Sequence, residues 1–157
     1  GIKDEQKNKC IKILKIFGTS GADSDGSADL QLGPTRVSFA DCPMNADWKA
    51  MARQNRWDLF EVKSENSINR IEGTARNPRF TERVVEGAQF DFSATLKLLG
   101  ENEEDLFEYL LDGLKLLEMD ALGGSGSRGY GRIEFQFDDE ALNEKFKDRK
   151  PFSNGGK

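Results

Sequence analysis

Apolar residues recur with helical spacing most plainly between residues 101 and 119, where Leu106, Leu110, Leu114 and Leu117 form one stripe and Phe107, Leu111 and Met119 widen it. This predicts an amphipathic helix starting at Glu101 or Asn102 with its stripe facing a core. Its acids gather in the first turn, where they favour the positive end of the helix dipole. Period-two alternation marks strands. In 88–98, Phe90, Phe92 and Ala94 share one face, and beyond residue 132 Ile133, Phe135 and Phe137 alternate with Glu134 and Gln136. A short strand is expected at 37–40, between Pro34-Thr35-Arg36 and the turn Asp41-Cys42-Pro43. The segment 10–17 sets Ile11, Ile13, Leu14, Ile16 and Phe17 against Lys12 and Lys15 and reads as a short amphipathic helix. A brief helix is expected over 46–53, capped by Asn45 or Asp47, then an extended stretch over 57–62, and a last short helix over 138–147. Between 64 and 86 the pattern is that of a β-hairpin, with turn chemistry in Gly73-Thr74-Ala75-Arg76-Asn77-Pro78 and a return arm from Phe80 to Val85. One amphipathic helix packed across antiparallel strands predicts an α+β fold, the arrangement of a ferredoxin-like or RRM-like half.

Composition sharpens this outline. A chain of 157 residues fits one domain with a real core. Small polar residues fill 18–33, predicting a flexible loop, and 148–157 reads as a disordered tail. Asp23, Asp25 and Asp29 in that loop lack the closing Glu of an EF-hand, so no metal site is expected there. The net charge of −5 argues against a nucleic-acid binder, yet the average hides a split. Eight acids face one base between Glu101 and Asp120, whereas five bases face three acids between Lys63 and Arg83. Such a distribution suits RNA on one face only. The absence of histidine removes imidazole as a base, nucleophile orienter or metal ligand. Cys10 and Cys42 suggest free thiols in a reducing cytoplasm, and no apolar run reaches membrane-spanning length.

The candidate chemistry lies in Leu122-Gly123-Gly124-Ser125-Gly126-Ser127-Arg128-Gly129-Tyr130-Gly131-Arg132-Ile133. Successive peptide N–H groups in a Gly-rich loop can form an anion-binding concavity, and Arg128 and Arg132 add two permanent charges beside it. Phosphate is the expected guest. The run is neither a nucleotide P-loop, since no Gly-Lys-Ser/Thr follows, nor a Rossmann fingerprint, since it precedes a strand. A plain helix-to-strand connection is the alternative.

Several further motifs stand in a fixed order: Ile16-Phe17-Gly18-Thr19; Gly33-Pro34-Thr35-Arg36 before a strand ending in Ala40-Asp41; Glu65-Asn66-Ser67-Ile68-Asn69-Arg70-Ile71-Glu72-Gly73-Thr74-Ala75; Pro78-Arg79 and Glu82-Arg83-Val84; then the Gly-rich run. Together they resemble the RAMP superfamily, and more narrowly the repeated backbone subunit of type III CRISPR effector complexes, over nearly the whole chain. The resemblance implies a modified RRM-like fold that polymerises along a guide RNA, with an inserted hairpin thumb that wedges into the guide–target duplex. It implies RNA contacts from Arg70, Arg76, Arg79 and Arg83 on the thumb. It implies others from Gly123, Gly124, Ser125, Gly126, Ser127, Arg128, Tyr130 and Arg132 in the loop.

The target-cleaving aspartate of such subunits lies in an N-terminal part that nothing in 1–17 matches. The chain therefore reads as the larger C-terminal part of one RAMP domain, with no catalytic or metal-binding residue assigned and Asp41 read as structural. Mg2+ or another divalent metal is the cofactor expected of the complete complex when it cuts target RNA. The implied partners are guide RNA, complementary target RNA, other RAMP subunits, copies of the chain itself or an N-terminal companion segment, with no membrane. A non-catalytic structural subunit and a guide-RNA-processing endoribonuclease are the alternatives.

Overall fold

A computed structural model of the chain describes residues 4–19 and 32–151. Most of the expected 18–33 loop, with Asp23, Asp25 and Asp29, lies outside the described residues, as does 152–157 of the expected tail. The elements in chain order are helix α1 (Asp4–Phe17), strand β1 (Val37–Phe39), helix α2 (Ala46–Asn55), strands β2 (Phe60–Asn69), β3 (Thr74–Val84) and β4 (Ala94–Leu96), helix α3 (Asp105–Met119), a 3-10 turn at Gly126–Arg128 and helix α4 (Glu140–Lys147). The α+β class follows directly. The chain divides into two compact units, Gly1–Phe39 with Ala94–Lys157, and Ala40–Ser93.

In the first unit β1 and β4 pair antiparallel, Val37 opposite Leu96 and Phe39 opposite Ala94. The core is built on the buried face of α3, where Leu106, Leu110, Leu111 and Leu114 are buried as their spacing requires. Leu111 and Leu114 enclose Phe146 of α4, with Phe135, Phe137 and Leu142 packed around them. The Phe137 and Phe146 rings meet edge-on at 5.0 Å, a geometry aromatic quadrupoles favour. Asp139 caps α4 by accepting from the Leu142 amide. Arg149 then clamps the end of α4 to α3 through Asp112 Oδ1 at 2.6 Å and Glu108 Oε2 at 2.9 Å, while Lys145 donates to Glu108 Oε1 at 2.6 Å.

α3 begins at Asp105, later than its sequence suggests, because the preceding turn has another task. Asn102 takes a left-handed conformation (φ 67°) and Glu103 turns inward. Its carboxylate accepts from Arg36 Nη2 at 2.8 Å and Nε at 3.0 Å, from the Leu99 amide at 3.0 Å and from Lys15 at 3.1 Å. Lys12 of α1 pairs with Asp105. Four acids of the α3 region, Glu103, Asp105, Glu108 and Asp112, are thus met by bases distant in the chain.

The expected strand over 133–137 is a correction. Ile133, Phe135 and Phe137 are half-buried and alternate with exposed Glu134 and Gln136, yet the segment enters no ladder among the described residues. Alternation fixes which side chains face the core, but a strand also needs a neighbour, which one chain's periodicity cannot supply.

In the second unit α2 is capped by the Asn45 side chain accepting from the Trp48 amide at 3.0 Å, and it buries Trp48 and Ala52. The strand expected over 88–98 is interrupted. Only 94–96 forms a strand, and Phe90 makes an isolated bridge to Met44, reinforced by the Asp91 amide donating to the Pro43 carbonyl at 2.8 Å. Pro43 has no N–H to carry a longer ladder. The long hairpin β2–β3 completes the unit, running from the Phe60–Val84 pair to the Asn69–Thr74 pair.

Candidate nucleic-acid interface

The Gly-rich run is a closed excursion between α3 and the 131–137 segment. At its base the Leu122 amide donates to the Gly131 carbonyl at 2.8 Å. Gly131 is required there: a Cβ on it would lie 2.0 Å from the Leu122 carbonyl oxygen. Within the loop, Gly126–Arg128 form one 3-10 turn held by the Arg128 amide on Ser125 O and the Gly129 amide on Gly126 O. Ser125 enters this turn in a left-handed conformation with φ 62°, which a non-glycine residue adopts only under local constraint. The amides of Gly123, Gly124, Ser125, Gly126 and Ser127 donate no hydrogen bond among the described residues. Unpaired consecutive amides flanked by positive-φ residues are the physical basis of anion-binding nests. Arg128 sits in the turn, and Arg132, one residue beyond the base, is exposed. Tyr130 is buried, so its ring anchors the loop instead of offering a stacking surface.

The hairpin belongs to the other unit. Its turn lies at Arg70-Ile71-Glu72-Gly73, four residues earlier than the Gly and Pro content suggests, and Thr74 already opens the return strand. Asn69 makes this turn: its side chain accepts from the Ile71 amide at 3.0 Å and donates to Glu72 at 3.0 Å, while its carbonyl accepts from the Gly73 amide at 2.8 Å. Asn77-Pro78 forms a bulge opposite Asn66, with Asn77 left-handed at φ 53°. The bulge is where Pro78, lacking an N–H, interrupts the ladder.

The four hairpin arginines separate into two kinds. Arg76 is tied to Glu72 at 2.6 Å, and Arg83 is paired with Glu61 across the strands. Arg70 and Arg79 are exposed and have no ion pair among the described residues. Sequence reasoning passed over Ile71, which crowns the turn at 96% exposed. The signal was present, since one large apolar residue in a charged turn has no core to join.

No His, Cys, Asp and Glu cluster of metal-binding size occurs among the described residues, so they include no ligand set for the divalent metal expected in target cleavage. No described helix is long and apolar enough to cross a membrane.

Residues 2–134 match the model of the RAMP superfamily. The chain is 38% identical over 127 residues to the CRISPR system Cms endoribonuclease Csm3 of Methanocaldococcus jannaschii, covering 80% of this chain and 47% of that protein. It is 52% identical over 79 residues to the protein of the same name from Streptococcus thermophilus, covering 48% of this chain and 36% of that one. The Methanothermobacter thermautotrophicus protein of that name is 37% identical over 145 residues, covering 82% and 56%. The chain spans about half the length of the relatives it matches.

Proposed function

The chain belongs to the RAMP superfamily, and from that premise we propose that it binds the sugar-phosphate backbone of a guide RNA in a type III CRISPR effector. The observation that carries this reading is the Gly123–Ser127 run of unpaired amides in a loop pinned at Leu122 and Gly131, with Arg128 and Arg132 in and beside it. Amides and guanidinium groups recognise phosphate irrespective of base, so the contacts are sequence-independent. The hairpin, with Arg70 beside the exposed Ile71 in its turn and Arg79 farther down the return strand opposite Glu65, supplies a second contact suited to a duplex: cations for phosphates along the ribbon and a wedge that can separate stacked bases.

Target-RNA cleavage belongs to the assembled effector in this reading, consistent with the relatives being named endoribonucleases. A divalent metal and the catalytic carboxylate would come from outside the described residues. Target RNA, other RAMP subunits and further copies of the chain are its partners, and the cytoplasm is its compartment. Isolating the protein natively from its own cells and sequencing the accompanying nucleic acid tests the reading. The expected result is a population of small RNAs sharing a constant 5′ end. A protein free of RNA, or bound to random fragments of abundant cellular RNA, would contradict it.

A further inference from the structure

Helix α2 ends in a group of cations that the hairpin and the Gly-rich loop leave unused. Lys49 and Arg53 share one face at i and i+4, and Arg56 closes the helix three residues further on. None of the three forms an ion pair or a side-chain hydrogen bond among the described residues. Asp47, the acid of the first turn, falls on roughly the opposite side of the helix at about 3.6 residues per turn. Arg56 takes a left-handed conformation, φ 57° and ψ 37°, at the helix-ending position that glycine or asparagine ordinarily fills. An arginine held there against its backbone preference is a signal of function. The Trp57 amide then donates to the Ala52 carbonyl at 2.9 Å, which fixes the Trp57 backbone beside the last helical turn. Its side chain is left in water, 51% exposed, whereas Trp48 of the helix is 5% exposed and belongs to the core.

We propose that this end of α2 binds an unpaired stretch of RNA, its phosphates held by Lys49, Arg53 and Arg56 and one base stacked on Trp57. An exposed indole beside guanidinium groups has the chemistry of single-strand binding: every base has a π-face, and arginine adds a cation–π contribution. A duplex is the poorer occupant, because its bases are already stacked and offer the indole no free face. An acidic protein segment would satisfy the cations but leave the indole without a stacking partner. Lys49 to Arg56 spans about 10 Å at about 1.5 Å rise per residue, room for a few nucleotides. The site rests on the reading of the chain as an RNA binder and extends it from the guide backbone to an unpaired strand. It lies on the Ala40–Ser93 unit, whereas the Gly-rich loop lies on the other.

The test is tryptophan emission of the whole chain titrated with a short oligouridylate over a salt series. Exposed Trp57 emits to the red of buried Trp48, so the two are read apart. Bound RNA is expected to quench the red component, and Trp57→Phe should abolish that response. Arg53→Ala/Arg56→Gly should weaken binding severalfold at low salt. It should also flatten the slope of log K against log salt by about 1.4, two single-strand contacts at about 0.7 each. Arg56→Gly alone separates binding from a capping role: glycine relieves the left-handed backbone, so the thermal midpoint should rise while RNA affinity falls. Where that variant loses stability instead, Lys49→Ala/Arg53→Ala carries the same test on the helix surface. An emission that RNA leaves unchanged overturns the inference, as does a quench that the arginine variants do not weaken. A quench produced by polyglutamate and not by RNA also overturns it, in favour of an acidic protein segment. Arg128→Ala/Arg132→Ala measured in parallel keeps the two readings apart, because it should retain the Trp57 quench. Loss of the loop's salt slope in that variant with Trp57 silent throughout sinks only this inference.

Discussion

Glu103 is 4% exposed, and a carboxylate so buried keeps its charge only because donors converge on it. Hydrogen bonds from Arg36 lower its pKa most, the Leu99 amide adds to this, burial opposes it and Lys15 contributes further, leaving the group well below the ordinary carboxylate range. Its sign for stability follows. A depressed folded-state pKa supplies stabilisation that is complete above the unfolded value of about 4.3 and fades as pH falls below it. Urea denaturation at neutral pH and in mild acid should therefore show a midpoint that drops with acidification, and Glu103→Gln should flatten that drop. At neutral pH the same substitution leaves Arg36 buried without its counter-charge and should cost about 3–5 kcal/mol. A Glu103→Gln protein with parental neutral-pH stability and an unchanged acid limb would contradict this account. Lys15 is partly exposed, so its share is reduced by solvent screening. Nothing local in the sequence distinguishes Glu103 from neighbouring Glu101 or Glu104. Its partner Arg36 lies 67 residues away, and only the fold brings them together.

Among the elements, the helices are legible because apolar periodicity, and for α2 the Asn45 cap, are local properties, although α1 starts at Asp4, ahead of the expected 10–17. Strand pairing is not. Ile133, Phe135 and Phe137 show correct alternation without a ladder, and the 88–98 pattern contains Phe90 and Phe92 but forms a strand only at 94–96. The hairpin is recognisable, yet Gly and Pro draw the expected turn to Gly73–Pro78, whereas the Asn69 side chain closes it earlier. That shift moves the tip to Ile71. Replacing Ile71 with Ser should leave single-stranded guide affinity within about twofold, since the proposed phosphate contacts involve other residues. It should reduce the unstacking of a fluorescent base analogue placed in the guide–target duplex, because an apolar wedge opens a base step where a polar one does not. Equal fluorescence with both proteins would remove the wedge role, and loss of guide binding would make the tip a primary clamp instead.

At the scale of the whole molecule, the net charge of −5 is an average, and part of the acidic charge around α3 is met by bases within the chain. Glu103, Asp105, Glu108, Asp112 and Glu118 all form ion pairs within the chain. The unpaired amides of Gly123–Ser127 and exposed Arg70, Arg79 and Arg132 remain available to phosphate. Glycine density and flanking arginines mark the loop in the sequence as a candidate phosphate site, whereas the burial of Tyr130 is not marked there, because exposure depends on how the loop folds back at Gly131. The most direct measurement is the salt dependence of RNA affinity for the parent chain and for Arg128→Ala/Arg132→Ala, using two single-stranded RNAs of unrelated sequence. Each phosphate contact contributes a slope of about −0.7 in log K against log salt, so the double variant should flatten the slope by about 1.4 equally on both RNAs. An unchanged slope, or a loss confined to one RNA sequence, would contradict the assignment of this loop to the guide backbone.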